Sequence, residues 1–194
     1  MGQRHHHYEA AFEAWLRETR VPYVMVDERR RALSDDGSLK SLDFIVSPIV
    51  GPKLLIDVKG RQFPGSDRQS VARWTNWTPE ADLAQIARWE ELFGEGFRGL
   101  LVFAYETDQP ARFIELAPFF RFRERYYAFY GVWMDDYRER TRRRSLSWET
   151  VDLSAADFRE IRFRLEDLLV PEYDLQEDQP QRPATFIRPL ASDK

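Results

Sequence analysis

The chain contains no cysteine, so neither a disulfide framework nor a thiolate metal centre can be built from it. Histidine is almost as scarce, and His5, His6 and His7, the only three, are consecutive. Metal ligands must converge on one point, which adjacent residues at a chain end seldom do, so the triplet reads as a mobile terminus. With no other imidazole, a histidine general base and the Ser-His-Asp and Cys-His nucleophile schemes lose their support. No run approaches the ~20 apolar residues of a membrane-spanning helix, and the opening MGQRHHHYEA lacks a signal peptide's apolar stretch. A soluble, cytoplasmic protein with no membrane partner is expected. A glycine-rich phosphate loop is also missing: Gly94-Glu95-Gly96 reads as a helix stop and turn, outside any strand–loop–helix context. Lysine is rare as well. Only Lys40, Lys53, Lys59 and Lys194 stand among 29 basic residues, so a lysine at a chemically suggestive position is conspicuous.

What is present is apolar and aromatic material enough for a sizeable core: 43% hydrophobic and 14% aromatic residues in a chain of 194. That length suits one domain with an appended segment. The net charge of −4 hides an uneven distribution. Residues 1–110 carry 14 basic and 17 acidic side chains, residues 111–148 carry 9 arginines against 5 acids, and residues 149–194 carry 6 basic and 11 acidic. A basic middle in an acidic chain can hold a phosphate backbone, or can simply be a solvated face.

Hydrophobic periodicity predicts the element order α-β-β-β-α-β-β, a mixed sheet with flanking helices. Tyr8, Phe12, Trp15, Leu16 and Thr19 form one helical stripe over residues 8–19, and Pro22 then opens a strand through Asp27. Residues 28–40 are polar, with a turn at Asp35-Asp36-Gly37. Leu42–Val46 and Leu54–Val58 read as an antiparallel hairpin joined through Pro48, Gly51 and Pro52. A polar loop over residues 60–77 leads to a helix with Thr78 as N-cap, Pro79 in its first turn and its end at Gly94. Leu100–Tyr105 and Phe113–Leu116 complete the strands. Beyond them, RERTRRRS reads as an exposed turn or helix, and Ser154 caps one amphipathic helix through Leu169. The tail from Pro171 is rich in proline and acid and reads as extended or disordered.

Asp57-Val58-Lys59 ends a strong strand pattern. Residues two apart on a strand face the same way, so Asp57 and Lys59 project together while Ile56 and Val58 project oppositely. A carboxylate and an ammonium facing one cleft suit metal-assisted phosphodiester hydrolysis. The carboxylate holds a hard cation, and the ammonium positions the attacking water or helps deprotonate it. Asp43, at the start of the preceding strand, is brought beside Asp57 by the hairpin and supplies a second carboxylate; alone it reads equally as a turn residue.

Asp43, the hairpin and Asp57-Val58-Lys59 together resemble the signature of PD-(D/E)XK nucleases, the superfamily of restriction enzymes and archaeal Holliday-junction resolvases. The resemblance spans about the first 110 residues and implies a restriction-endonuclease-like αβββαβ core. It departs in having Leu42 where proline is common, and Asp57 in place of glutamate. It implies a Mg²⁺ site, with Mn²⁺ as substitute, ligated by Asp43, Asp57 and the Val58 carbonyl. It further implies a glutamate on the first helix, Glu9 in preference to Glu13, and a polar residue on the helix after the Lys59 strand, for which Gln85 is suited. Gln85 shares a face with Asp82 and Trp89. Lys59 is the expected catalytic residue, with Glu9 and Gln85 in support, and Lys59→Ala is expected to abolish cleavage while leaving folding intact.

The activity implied is Mg²⁺-dependent hydrolysis of nucleic acid, with DNA as the expected substrate. The alternative is a catalytically inactive module of the same fold used for binding or assembly, its acidic residues forming surface ion pairs. Arg61, Arg68, Arg73, Trp74 and Trp77 follow the Lys59 strand and suit a nucleic-acid surface, arginine for phosphate and tryptophan for stacking. Core lids are the equal alternative for the two tryptophans. The expected division is a nuclease-like core over 1–117, an appended strand and helix segment over 118–170, and a proline-rich acidic tail over 171–194. Residues 118–150 are a candidate contact for a homodimer or protein partner, and Tyr126, Tyr127, Phe129, Tyr130 and Trp133 suit a core or an interface better than a base platform.

Overall fold

The computed structural model describes residues 6–26, 32–34, 37–39, 42–63, 74–113, 116, 118–170 and 186–187. The first half of the chain supplies α1 (His6–Glu18), β1 (Tyr23–Met25), β2 (Ala32–Ser34), β3 (Gly37–Leu39), β4 (Phe44–Val46), β5 (Lys53–Gln62), β6 (Thr78–Pro79) and α2 (Glu80–Phe93). Then come β7 (Phe97–Thr107), a 3-10 turn (Pro110–Arg112), β8 (Phe119–Phe122), β9 (Arg125–Trp133) and α3 (Met134–Arg140). The remainder is β10 (Arg142–Ser145), β11 (Thr150–Asp152), α4 (Ala155–Ile161), β12 (Phe163–Arg164), α5 (Leu165–Leu169) and β13 (Phe186–Ile187).

The main sheet runs β1-β4-β5-β7-β9-β8-β13, with β12 also paired to β9. β4 and β5 form the expected antiparallel hairpin, while β5 and β7 are parallel over ten residue pairs, Lys53↔Phe97 to Gln62↔Glu106. Parallel neighbours need a crossover, and α2 is that crossover. β7 is buried from Gly99 to Thr107, as a strand covered on both faces must be. Side-chain alternation divides the core. Leu54, Ile56, Val58, Leu100, Val102 and Ala104 pack beneath Phe12, Trp15 and Leu16 of α1 and Leu165 and Leu169 of α5. Leu55, Leu101, Phe103 and Tyr105 face α2, α3 and α4 through Leu83, Ile86, Tyr137 and Phe158. The result is a mixed α/β sheet flanked by helices. Among the described residues no helix is long and apolar enough to cross a membrane.

Several local expectations are corrected. Thr78 does not cap α2. Thr78–Pro79 is instead a short strand on β11, with Thr78 opposite Val151, and the helix begins at Glu80 without a side-chain cap. The strand expected at Phe113–Leu116 lies partly outside the described residues, and neither Phe113 nor Leu116 is in a strand: Pro110 opens a 3-10 turn, and the Leu116 N–H donates to the Phe113 carbonyl. A three-residue spacing of apolar side chains suits that turn better than a pleat. The strand that pairs with β7 is β9, in register from Leu100↔Trp133 to Thr107↔Tyr126. The main sheet therefore crosses the boundary expected at residue 117. Tyr127, Phe129 and Tyr130 are core residues, as their aromatic character suggested.

The RERTRRRS stretch is the end of α3 followed by β10, and β10, β11 and β6 form a second, three-stranded sheet. The helix expected after Ser154 is interrupted. Ser154 Oγ accepts the Asp157 N–H at 3.1 Å, but α4 stops at Ile161 and Phe163–Arg164 pairs with β9 opposite Gly131 and Tyr130. The ring of Phe163 fills the space that a Cβ at Gly131 would need, 2.6 Å from Cε2. That sheet contact overrides the helical periodicity. Of residues 171–194, only Phe186–Ile187 lie among those described, as β13 on β8.

Gly99 lets α2 approach β7 closely. A Cβ there would lie 2.5 Å from Ile86 Cγ2 and 3.1 Å from Glu90 Oε1, the oxygen that accepts the Gly99 N–H. Gly99→Ala is expected to destabilise the fold by about 1–3 kcal/mol through overpacking, measured by urea denaturation; unchanged stability would mean that α2 can shift freely.

Candidate functional site

The side chains of Asp57 and Lys59 emerge on the α2 face of β5, as the two-residue strand period requires. Both are buried, with exposures of 9% and 8%. Lys59 Nζ lies 2.5 Å from Asp57 Oδ2 and 2.5 Å from Asp82 Oδ2. Asp82, on the first turn of α2 and 7% exposed, is the residue that sequence reasoning placed near the site without giving it a role. Gln85, expected to support Lys59, lies one turn further along α2 and is partly buried. Acid at the start of a helix, on the face shared with Gln85, was the available signal for Asp82.

Burial opposes the charged form of Lys59, but the Asp57 and Asp82 carboxylates outweigh it and raise its ammonium above the usual lysine range. Lys59 is therefore a held cation in this arrangement, suited to orienting water or stabilising negative charge and not to taking a proton.

Asp43 approaches from the neighbouring strand. The register pairs Phe44 with Ile56, yet the Asp43 N–H also donates to the Ile56 carbonyl at 3.0 Å, so two successive residues face one. Such a bulge-like offset re-aims a side chain. Asp43 Oδ2 turns to accept the Val58 N–H at 2.6 Å, and the Val58 carbonyl lies on that same edge of β5. Burial, then the charge of Asp57, and more weakly that of Glu9, push the Asp43 carboxyl well above the usual carboxylate range.

The two α1 glutamates differ in their surroundings. Glu13 accepts hydrogen bonds from Arg17 at 2.7 Å and the Tyr23 hydroxyl at 2.8 Å, whereas Glu9 exerts its charge on Asp43. Glu9 is held there by its neighbours. The Tyr8 ring covers Gly60, where any Cβ would overlap it, and the Tyr8 hydroxyl bonds Glu106. His7 Nε2 lies 2.9 Å from Glu106 Oε2, and its ring stacks on Tyr8 with centroids 4.0 Å apart. His7 is thus no part of a loose terminus: a buried carboxylate on β7 fixes it. His5 lies outside the described residues.

The expected nucleic-acid residues separate. Arg68 and Arg73 lie outside the described residues. Trp74 is a core lid, with its ring against Phe63, Tyr105 and Tyr130 and the Arg162 guanidinium 3.4 Å from its centroid. Arg61 follows Lys59 on the same face of β5. It donates to the Gly60 and Trp77 carbonyls and stacks 4.3 Å from the Trp77 centroid, with Arg144 at 5.3 Å from the same ring. The loop is pinned from below, where the Tyr105 and Tyr137 hydroxyls donate to the Thr75 and Asn76 carbonyls.

The donor set at the site is all oxygen, which suits a hard divalent cation. Asp57 and Asp82 hold the Lys59 ammonium, and the Asp43 carboxyl beside them is displaced upward first by its burial and then by the charge of Asp57. Among the described residues no three His, Asp or Glu side chains are grouped as a metal cage. No family model, no curated protein and no solved structure matches the chain. Functional inference therefore rests on the residues themselves.

The geometry corrects the expectation that Lys59→Ala leaves folding intact. Removing the ammonium strands Asp57 and Asp82 together in a buried site, so the near-isosteric Lys59→Met should cost about 3–5 kcal/mol in urea denaturation with chelator present. Asp57→Asn with Asp82→Asn added to it should recover part of that loss. A second expectation concerns pH. A carboxyl raised in the folded state contributes stability below its unfolded value that is lost as pH rises through the folded one. Asp43→Asn, which keeps an acceptor for the Val58 N–H, should then melt a few degrees above the parent at pH 7 in chelator. The gain should vanish below about pH 4, where the unfolded carboxyl is also protonated; a gain independent of pH would place its origin elsewhere.

Proposed function

We propose that the chain is a divalent-metal-dependent phosphodiesterase acting on nucleic acid, DNA in the first instance, built on a restriction-endonuclease-like core. The observation that carries this reading is that Asp43, just ahead of β4, accepts the Val58 N–H of β5 and feels the charge of Asp57, which the buried Lys59 ammonium contacts. The order α1, β1, β4, β5, α2, β7, with an antiparallel hairpin followed by a parallel crossover, supports the core assignment.

Asp43, Asp57 and the Val58 carbonyl would hold the cation, which when bound supplies Lewis-acid stabilisation of charge on the phosphoryl oxygens. Lys59, kept protonated by two carboxylates, offers N–H donors to the scissile phosphate and loses no proton in doing so. Asp82 positions that ammonium. Glu9 adds negative charge on the Asp43 side and can accept a hydrogen bond from the attacking water.

One observation favours a second reading, a binding module without catalysis: Lys59 already occupies Asp57 at 2.5 Å and so neutralises half the proposed ligand pair. Metal titration separates the two. For the enzyme, Mg²⁺ or Mn²⁺ at 100 times its Kd should stabilise the fold by about 2.7 kcal/mol, read as a rise in Tm. Asp57→Asn should remove that rise and lower cleavage of a mixed DNA panel by about a hundredfold or more. Neither a saturable metal effect nor any cleavage by the parent would leave the binding module.

A further inference from the structure

β10 and β11 form an arm beside the site. β6 pairs with β11 and leads straight into α2, whose residue Asp82 meets Lys59. On the other side Arg144 of β10 shares the Trp77 ring with Arg61, two residues beyond Lys59 on the same strand face. The arm is thus tied from both directions to the elements that carry the acidic cluster.

Its tip carries the two most exposed large apolar side chains among the described residues. Leu146 and Trp148, in the turn between the two strands, are 76% and 79% exposed and add nothing to the core. Single exposed apolar residues are ordinary, but an exposed indole and leucine two apart on a charged hairpin are a concentrated feature. The approach to the tip is basic: Arg138, Arg140, Arg142, Arg143 and Arg144 face one acid, Glu139, in the stretch from 138 to 148. Arg142 is committed to Asp152 at 2.8 Å and Arg140 to Glu160 at 2.8 Å, whereas Arg143 is exposed and meets Glu80 only at 3.8 Å. Two guanidiniums on one indole, those of Arg61 and Arg144, also repel each other, a repulsion that an anion between them relieves.

Exposed arginines below an exposed tryptophan match the two chemistries of a nucleic-acid strand, phosphate and base. They do not match the interior of a duplex equally well. There the bases are already stacked, and an indole finds a partner only where a base is unpaired or a step is opened. We propose that the β10–β11 hairpin is a nucleic-acid-binding arm that places Trp148, with Leu146 as a wedge, against unpaired bases, so that the protein prefers DNA with a single-stranded branch or overhang to continuous duplex. This rests on the nucleic-acid reading of the adjoining site and adds the form of the substrate.

The test is fluorescence anisotropy of the full chain in chelator, with labelled single-stranded, forked and blunt-duplex DNA of equal length. The parent should bind the forked and single-stranded DNA more tightly than the duplex. Trp148→Ala should weaken binding to the fork about tenfold and leave the duplex nearly unchanged, with Trp148→Phe retaining most of the affinity. Arg143→Ala should weaken all three and reduce the salt slope by about one. Both side chains are exposed, and matching Tm values will show that the variants fold. Parent-like binding by Trp148→Ala and Leu146→Ala overturns the inference, as does a parent with no DNA affinity. If those two variants instead convert a parent dimer to monomer while DNA affinity stays constant, the arm is a protein contact and the inference fails. Failure of the hydrolase reading is separately visible: hairpin variants would change binding in chelator while the parent never cleaves in Mg²⁺.

Discussion

A lysine ammonium buried between two aspartates joins the central strand to the crossover helix, and most of the molecule's organisation depends on that bracket. Three charges leave water at one place, which is costly unless each is matched. Lys59 satisfies Asp57 on its own strand and Asp82 on α2 at the same 2.5 Å distance. The pairing sets how α2 lies over β5, and the close approach at Gly99 continues the same contact further along the helix. It also explains why a buried group of this polarity can sit next to a core built from Leu55, Leu83 and Leu101.

The same bracket leaves a charge imbalance. One ammonium answers two carboxylates directly, and the neighbouring Asp43 carboxyl is displaced upward by its burial and then by the charge of Asp57. Asp43 reaches this position because, just ahead of β4, its N–H donates to the Ile56 carbonyl and its side chain accepts the Val58 N–H. Glu9 reaches it because Tyr8 lies flat on Gly60 and His7 is tied to Glu106. A structural ladder contact, a glycine contact and a helix-end hydrogen bond thus combine to place acidic oxygens on one edge of β5.

The first half of the fold was largely legible in the residues. Strand alternation placed Asp57 with Lys59 and apart from Ile56 and Val58, and the Pro48–Pro52 turn implied the hairpin that carries Asp43. The second half was not. Periodicity read Phe113–Leu116 as a strand, where Pro110 starts a turn, and read one helix after Ser154, where Phe163 leaves the helix to cover Gly131. Residues 118–133 belong to the main sheet because β9 offers eight consecutive partners to β7, a pairing distant in sequence from any local pattern. Trp74 and Trp77 looked alike as a sequence pair, yet one closes the core and the other lies between two arginines.

By itself, the sequence determined the absence of thiol chemistry, the local direction of side chains on β5, and the presence of a lysine where carboxylates stand two and sixteen residues upstream. These are short-range properties, set by composition and by the two-residue period of a strand. Only the tertiary structure decided that Asp82 meets Lys59, that Glu13 pairs with Arg17 and Tyr23 while the charge of Glu9 reaches Asp43, and that His7 is anchored. Each of those outcomes depends on the rotation of a helix about its axis and its height over the sheet. Helical period limits such choices to one face, and packing against a particular glycine or carboxylate selects the turn.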